Sequence, residues 1–334
     1  MKHLPEKAVE EAIKNVTDLK EKYEKEEKRN RPPCPHCKSE NVVRNGHKCN
    51  KQAYLCRDCD KSFVQTTGSV MFNSRSGEAV WKEVIRDTVN GISLDKTAAK
   101  LVLRHKTVFN MRHKILCCLE QEEARNLMTL SGVCEADETY VLENLKGQKL
   151  PPDYYRKPRK HGAVAQKCGI SDEYICICTA VEREGKGIAL SVNRATPQKT
   201  DIENVFGNRV SEYTLFLCDK AKGYNVLEET KKCSVVRAKS ENKDVGFYNI
   251  NTVNNFHGFI KQRNRNARGF ATKYLNRYNS LFSRVYRQSQ YVVDEIYKML
   301  CDMDDRYNAH SETKCIKWRN NPICHKDLSR CFEV

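Results

Sequence analysis

The spacing of apolar residues changes several times along the chain, and each change marks a predicted structural unit. Residues 6–30 carry apolar side chains at helical spacing among many charged ones, which predicts a charged helix within residues 1–31. Residues 78–120 also show helical spacing, whereas from residue 131 the apolar runs become those of β-strands. Helical patterns return after residue 250, so the chain is predicted to contain several units rather than one.

Three helices are predicted in residues 76–122. An apolar face defines the first helix, which ends near Gly91, and Ser93 is the expected N-cap of a short second helix. A third helix begins after a turn near residue 105 and has one apolar side and one basic side. The residues of the basic side that are predicted to contact DNA are Lys106, Arg112 and Lys114. This order is typical of a DNA-binding helix-turn-helix, although many three-helix units serve only for packing.

Strands and helices alternate in the next part of the chain. Strands are predicted over residues 133–141, 174–181, 188–192 and 213–218. The second and third strands flank Gly185-Lys186-Gly187 and are expected to form a hairpin. The fourth strand is apolar on both faces, which suits a buried central strand, and a helix is predicted before it over residues 199–210.

The composition points to a nucleic-acid partner. The chain has 334 residues, with 59 Lys and Arg against 43 Asp and Glu, and its net charge is +16. A basic surplus of this size favours binding to a polyanion, although a ribosome-associated or membrane-surface protein would share it. No apolar run reaches the ~18 residues that span a bilayer, and the charged N-terminus does not resemble a signal peptide. A cytoplasmic, nucleoid-associated protein with no membrane partner is therefore expected.

Two Cys-x-x-Cys pairs near the front of the chain have the spacing of a structural zinc site. The four cysteines are Cys34, Cys37, Cys56 and Cys59, and 18 residues separate the two pairs. Four thiolates on two tight turns can close a tetrahedron around Zn²⁺, with a short β-hairpin between the pairs. A zinc ribbon over residues 32–70 is therefore predicted. The alternatives are a redox motif and a zinc module that binds only protein.

The other cysteines are expected to be reduced thiols. The chain contains 17 cysteines, and several lie in apolar strand-like runs, where they act as small hydrophobic residues. In the tail over residues 291–334, a second metal site could be assembled from Cys315, Cys324, His325 and Cys331. Their spacing matches no standard metal-binding motif, so these cysteines are also interpreted as free thiols.

Two aspartates occupy positions where strands could bring them into one site. Asp137 interrupts a β-prone run, and Asp219 follows directly after the predicted buried strand. An aspartate at the end of a hydrophobic strand often serves only as a helix cap or a turn residue. The residues alone therefore leave a structural role for Asp219 as open as a catalytic one.

The order of these segments resembles the DDE-type transposases of bacterial insertion sequences, in the family with an N-terminal zinc ribbon. The resemblance rests on the zinc ribbon, the helix-turn-helix, the strand with Asp137-Glu138-Thr139-Tyr140 and the strand that Asp219 follows. It continues at Asn251-Thr252-Val253-Asn254-Asn255-Phe256, which is similar to that family's Asn-Thr-Ile-Glu-Gly-Phe segment. It implies a multidomain protein of α+β and α/β class, in which residues 131–290 form an RNase H-like catalytic domain with a mixed sheet.

The resemblance also implies a catalytic site that binds Mg²⁺, with Mn²⁺ as an alternative. Asp137 and Asp219 would bind two metal ions, and Asn254 stands where the family's third catalytic residue is usually Glu. An amide oxygen can bind Mg²⁺ but brings no charge. Lys261 follows Asn254 by seven residues, about two helical turns, so the two residues share a helix face. The nearest alternative third carboxylates are Glu241 and Asp244.

Residues 255–287 are strongly basic and contain no Asp or Glu. Their cationic side chains are expected to bind DNA phosphates, and the predicted contacts are Arg263, Arg265 and Arg268. Aromatic residues recur every four positions in the same stretch, which is more typical of core packing than of base stacking. The sequence also departs from the family's commonest pattern at Asn249, where His is frequent, and at His257, where Trp is common.

The combined pattern predicts a DNA transposase that binds the terminal repeats of its element and catalyses Mg²⁺-dependent strand cleavage and strand transfer. Its partners would be double-stranded DNA, as element ends and as target, and further copies of the chain in a homodimer or larger assembly. A non-catalytic DNA-binding regulator, such as a domesticated or decayed transposase, is the alternative that Asn254 keeps open. An RNase H-like nuclease without strand joining is the third.

Overall fold

The computed structural model divides the chain into two compact units. The residues that it describes are 31–48, 51–72, 74–125, 128–147, 164–183, 185–219, 222–231, 233–237, 248–267, 269–286 and 292–301. Described residues up to Arg75 belong to the first unit, and those from Ser76 to Leu300 belong to the second. The predicted charged helix and the tail cysteines lie outside the described residues, as do Glu241, Asp244 and Arg268.

The first unit is a small antiparallel sheet beside the four cysteines. Its strands are β1 (Val42–Lys48), β2 (Lys51–Cys56) and β3 (Ser62–Val64), in the order β1-β2-β3. Its apolar cluster is centred on Tyr54 and Phe63, whose rings stack with centroids 5.5 Å apart. An apolar cluster this small does not hold a domain together by burial alone, and units of this size commonly depend on a metal or on crosslinks.

Three helices begin the second unit. They are α1 (Glu78–Val89), α2 (Leu94–Lys100) and α3 (His105–Arg125). α1 buries its predicted apolar face around Trp81. Gly91 lies between α1 and α2 at a φ of +71°, which glycine adopts without strain. The Ser93 side chain accepts a hydrogen bond from the backbone N–H of Lys96 at 3.3 Å, so the predicted N-cap of α2 is confirmed.

Arg112 is buried between these helices, so the structure contradicts its prediction as a DNA contact. Its residue surface is 7% exposed. Its Nε donates a hydrogen bond to Thr88 Oγ1 at 3.1 Å, and its Nη2 donates to the Ile92 carbonyl oxygen at 2.9 Å. The guanidinium group links α3 to the end of α1 and to the turn that follows. It is therefore not available to bind a DNA phosphate. Lys106 is exposed near the start of α3, and Lys114 is half-buried.

A mixed five-stranded sheet forms the centre of the second unit. Its strands are β4 (Val133–Leu142), β5 (Tyr174–Glu182), β6 (Gly187–Arg194), β7 (Leu215–Cys218) and β8 (Ser234–Arg237). They lie in the order β6-β5-β4-β7-β8. β5 pairs antiparallel with β4 and β6, whereas β7 runs parallel to β4 and β8. The predicted hairpin, buried strand and mixed sheet are therefore confirmed.

Helices pack on both faces of this sheet. They are α4 (Lys199–Phe206), α5 (Asn225–Lys231), α6 (Asn251–Asn266), α7 (Leu275–Val285) and α8 (Val292–Cys301). α4 ends four residues before its predicted end. Ala136 of β4 belongs to the apolar core that α4 and α5 share, whereas its neighbours Glu135 and Asp137 contact α6. Because successive strand residues point to opposite faces, α6 lies across the sheet from α4 and α5.

The aromatic residues of the basic stretch pack in the interior, as predicted. The rings of Phe270 and Tyr278 stack with centroids 3.8 Å apart, and the Tyr286 ring lies 4.4 Å from the Phe256 ring of α6. α7 itself packs on β6 and on α3. Among the described helices, none is both long enough and apolar enough to cross a membrane.

Candidate active site and metal centre

The four predicted zinc ligands converge in the first unit. The Sγ atoms of Cys34 and Cys59 lie 3.6 Å apart, and those of Cys37 and Cys56 lie 3.4 Å apart. All four thiols are free, and their sulfur atoms lie within 4.8 Å of one another. A disulfide would hold two sulfurs about 2.05 Å apart, whereas a tetrahedron with Zn–S bonds of about 2.3 Å places them about 3.8 Å apart. The arrangement fits a metal-thiolate site.

The two cysteine pairs lie on turns of the same geometry. In each turn the backbone N–H of the first cysteine donates a hydrogen bond to the carbonyl oxygen five residues later, at 2.8 Å for Cys34 and 3.1 Å for Cys56. Each pair is followed by a residue with positive φ, Lys38 at 64° and Asp60 at 54°. Two matching turns can present four thiols to one point, as a ribbon-type zinc site requires.

Three carboxylates converge at the end of β7. Oxygen atoms of Asp137, Glu138 and Asp219 lie within 4.8 Å of one another. The strand register explains this convergence, because Ala136 of β4 pairs with Cys218, the last residue of β7. Asp219 leaves the sheet directly after that pair, while β4 continues beyond it through the other two acidic residues. The structure thus brings Asp137 and Asp219 together, as the sequence predicts.

α6 presents His257 to this carboxylate cluster. His257 Nδ1 lies 3.9 Å from Asp137 Oδ2, and His257 Nε2 lies 2.6 Å from Thr179 Oγ1. The Thr179 hydroxyl donates a hydrogen bond to the Asp137 carbonyl oxygen at 2.6 Å. Because a hydroxyl has one proton, Nε2 must be the protonated ring nitrogen, and Nδ1 faces Asp137 with a lone pair. Burial, followed by the charge of Lys261, lowers the His257 pKa to about 4, so the ring is neutral near pH 7.

Asn254 and Lys261 lie on the same edge of α6 as His257. The spacings of three and four residues place the three side chains in a row along the helix. Asn254 and Lys261 are both exposed. Burial raises the pKa of Asp137, and the nearby charge of Lys261 offsets part of that rise. The row therefore borders the carboxylate cluster.

Negative charges oppose one another in this cluster. Burial, together with the charge of Asp219, raises the pKa of Asp137 to about 6. Burial, together with the charges of Asp137 and Asp219, raises the pKa of Glu138 to about 7. Both values mean that the ionised carboxylates are disfavoured when no cation is bound between them. A hard divalent cation with oxygen ligands would favour the ionised forms instead.

Glu138 and Glu135 were not predicted from the sequence as residues of the site. Glu138 follows Asp137 directly, and Glu135 precedes it by two positions, so both interrupt the β4 run with a charge. Glu135 is fully buried, and Arg183 Nε donates a hydrogen bond to its Oε1 at 2.7 Å. A charge inside a strand is a usable signal, because a buried carboxylate must be paired or bind a cation.

The predicted phosphate contacts on α6 differ in exposure. Arg265 is exposed, whereas Arg263 is half-buried, with its guanidinium 5.0 Å from the centre of the Phe259 ring. Burial also lowers the pKa of Arg263. Arg263 passes so close to Gly91 that a side chain at that position would clash with it. Arg265 is therefore the more accessible of the two to DNA.

The segment that holds the carboxylate cluster is similar to a known protein family. Residues 129–288 match the profile of the ISXO2-like transposase domain. This part of the chain is therefore similar to an ISXO2-like transposase domain. The matched segment begins before β4 and ends after α7, so it contains all three carboxylates of the cluster together with the row on α6.

A protein similar to this chain occurs in a mobile element. The chain is 26% identical over 202 residues to a protein of Halobacterium salinarum described as an uncharacterized protein in transposable element ISH50. The alignment covers 60% of this chain and 66% of that relative, so it spans slightly less than two thirds of the relative's length.

Two structures of Mos1 complexes are also similar in part. The Mos1 strand transfer complex matches with 12% identity and a TM-score of 0.28, covering 75% of this chain and 79% of that chain. A pre-cleavage Mos1 transpososome matches with 11% identity and a TM-score of 0.27, covering 71% of this chain and 78% of that chain. TM-scores this low do not establish a shared fold.

Proposed function

We propose that the protein is a DNA transposase that binds the ends of its own element and catalyses metal-dependent strand cleavage and strand transfer. The observation that carries this proposal is the convergence of Asp137, Glu138 and Asp219 beside α6, inside an ISXO2-like transposase domain. The order of the strands, with three antiparallel strands joined to two parallel ones, supports an RNase H-like catalytic domain.

The residues at the end of β7 fit a divalent metal centre. Hard cations such as Mg²⁺ and Mn²⁺ prefer several oxygen ligands, and three carboxylates lie within reach of one another here. Asp137 and Asp219 would be ligands from the two strands, and Asn254 would add a neutral amide oxygen from α6. When bound, such ions activate the attacking water or 3′-hydroxyl and stabilise the leaving oxygen in phosphoryl transfer.

Other residues of the chain would position the DNA and the first carboxylate. Lys261 is exposed and borders Asp137, so its ammonium group can pair with a phosphate at the edge of the cluster. The chain of hydrogen bonds from His257 to Thr179 and on to the Asp137 carbonyl oxygen holds the backbone of that aspartate in place. Because His257 is neutral, it adds no positive charge that would compete with a metal ion.

The first unit and the three helices would recognise the element ends. The four cysteines would hold one Zn²⁺, and α1 to α3 would form a helix-turn-helix with Lys106 exposed near the start of α3. Lys114 and Arg265 would add contacts to DNA phosphates, and a net charge of +16 favours this partner. Strand transfer requires two ends to be held together, so a homodimer or larger assembly on DNA belongs to the proposal.

A non-catalytic DNA-binding regulator is the second candidate. Asn254 favours it, because an amide stands where the resemblance implies a third carboxylate. An RNase H-like nuclease would use the same cluster without joining strands. The three candidates differ in their products, which are bound but intact DNA for the regulator, free ends for the nuclease and joined strands for the transposase.

Incubation of the full-length protein with DNA that carries its own flanking repeats tests the proposal. With Mg²⁺, cleaved ends and joined products are expected, and neither should form with a chelator. The variants D137N and D219N keep the size of each side chain and remove its charge, so they should bind this DNA without cleaving it. A parent protein that binds but never cleaves with Mg²⁺ or Mn²⁺ would favour the regulator.

A further inference from the structure

Glu138 is a half-buried carboxylate that lies beside other acidic groups. Its Oε1 atom is inaccessible to solvent and has no hydrogen-bond partner among the described residues. The neighbouring side chains that most affect the pKa of this carboxyl group are Tyr224, Asp137 and Asp219, and none of them is a cation. A carboxylate in such a place must take up a proton, pair with a cation or bind a metal ion.

The hydroxyl of Tyr224 is a second unpaired polar group at the same place. Tyr224 is fully buried, and its ring contacts those of Phe206 and Phe216 with centroids 6.3 and 5.9 Å away. Within the described part of the chain, the hydroxyl makes no hydrogen bond of normal geometry. Burial raises the Glu138 pKa, and the hydroxyl lies near enough to offset part of that rise. Since the packed ring has little room to move, the hydroxyl stays near the carboxylate.

The topology explains how Glu138 and Asp137 can serve one site from opposite faces of β4. Strand alternation directs Asp137 to α6 and Glu138 to the face of α4 and α5, where Tyr224 lies. Beyond Ala136 no β7 residue pairs with β4, because β7 ends at Cys218. Both carboxylates can therefore approach Asp219 past the end of β7, which accounts for their mutual proximity.

We propose that Glu138 is a further ligand of the metal centre and that Tyr224 orients it. This proposal rests on the proposed transposase function and deepens it, because the third carboxylate of the site then comes from β4 and not from α6. Asn254 brings no charge to the site, whereas Glu138 raises the number of carboxylates there to three. A hydrogen bond from Tyr224 to one Glu138 oxygen would leave the other for the cation, as neighbours of metal ligands commonly do.

Mn²⁺ binding to the full-length protein, measured by electron paramagnetic resonance without DNA, tests the assignment independently of catalysis. Glu138→Gln keeps the size of the side chain and removes its charge, and it should weaken Mn²⁺ binding by about tenfold or more. Tyr224→Phe keeps the packed ring and removes the hydroxyl, so it should weaken binding by a smaller factor. Glu203→Gln removes one exposed charge on α4 and should leave Mn²⁺ affinity unchanged.

Mn²⁺ affinity equal to that of the parent in E138Q would overturn the proposal. Circular dichroism establishes whether each variant is folded. If E138Q does not fold, Y224F and Glu138→Ala decide, and affinities equal to the parent's in both would overturn the proposal as well.

Failure of the transposase function is a separate result. If the parent protein binds Mn²⁺ through Glu138 but never cleaves DNA, the assignment of Glu138 as a ligand stands and the proposed reaction is wrong. Loss of Mn²⁺ binding in D137N but not in E138Q would show that Glu138 is not a ligand. It would not count against the proposed reaction.

Discussion

Glu135 Oε2 accepts a hydrogen bond from the backbone N–H of Thr252 at 2.6 Å, across 117 positions of sequence. The same oxygen accepts a hydrogen bond from the Val253 N–H at 3.1 Å, and Arg183 donates to the other oxygen at 2.7 Å. An acidic group at a helix N-terminus is favourable, because the first N–H groups have no partner within the helix. Since Glu135 lies two positions before Asp137 on one face of β4, it holds the start of α6 beside the carboxylate cluster.

Glu135→Ala is expected to lower the free energy of unfolding by about 3–5 kcal/mol, the usual effect of removing one partner of a buried ion pair. The substitution leaves Arg183 without this partner and two N–H groups at the start of α6 without an acceptor. Glu135→Gln should cost less, because the amide oxygen still accepts a hydrogen bond. Urea unfolding measures both variants, with the exposed Glu203→Ala as control. Equal stability of E135A and E203A would contradict this role.

Zinc should be held by the first unit at one ion per chain. Cys56→Ala removes a buried ligand of the cysteine cluster and is expected to abolish zinc binding. Cys168→Ala is the matched control, because Cys168 is an exposed free thiol outside the cluster. Metal analysis of the full-length variants measures the zinc content. The same zinc content in C56A and C168A would rule out the site.

The metal-free protein is expected to lose stability between about pH 4 and pH 7. The pKa values of Asp137 and Glu138 are raised to about 6 and about 7 in the folded state, above ordinary values of about 4. The folded state therefore holds these protons more tightly than the unfolded state. Their contribution to stability is complete below the ordinary values and is lost as the pH rises through the raised ones.

Mg²⁺ should reverse this loss, because the metal binds the ionised carboxylates. We expect Mg²⁺ to raise Tm more at pH 8 than at pH 5, where both carboxyl groups hold their protons. Thermal unfolding with and without Mg²⁺ across this range measures the effect. The double variant D137N/E138Q lacks both groups and is the reference, so that titrations elsewhere in the protein cancel. A Mg²⁺ effect of the same size at both pH values would count against the metal site.

Arg265→Gln should flatten the salt dependence of DNA binding. Arg265 is exposed on α6, and loss of one phosphate contact lowers the slope of log K against log salt by about one. Lys199→Gln makes the same change of charge at an exposed position at the start of α4, across the sheet, and should leave the slope unchanged. Fluorescence anisotropy at several salt concentrations measures both variants. An unchanged slope in R265Q would show that this surface does not meet phosphate.

Asn254→Ala is expected to abolish cleavage and to leave binding of the element ends intact. Asn254→Asp should retain part of the activity, because it keeps an oxygen ligand and adds negative charge next to a cation. Asn255→Ala changes the adjacent exposed amide and is the matched control. Gel assays on the element's own ends separate binding from cleavage. If N254A cleaves like the parent while Glu241→Ala or Asp244→Ala does not, the third ligand lies at one of those positions.

The sequence by itself determined the elements and the spacing within them. Ser93 predicts the start of α2, Gly185-Lys186-Gly187 predicts the hairpin of β5 and β6, and the apolar run before Asp219 predicts a buried strand. Each of these features depends on turn chemistry or on periodicity over a few residues, which local sequence encodes. The two cysteine pairs are of the same kind, because each thiol pair is presented by one tight turn.

Only the tertiary structure decided which charged residues meet. The helical pattern placed Arg112 on the basic side of α3, but the end of α1 and the turn after it cover the guanidinium. Strand alternation separates Glu138 from Asp137, yet their oxygens lie close to each other and to Asp219 past the end of β7, which pairs with β4 as far as Ala136. Periodicity fixes the side of an element on which a residue lies. The partner on that side depends on how distant strands and helices pack, and no local pattern specifies that.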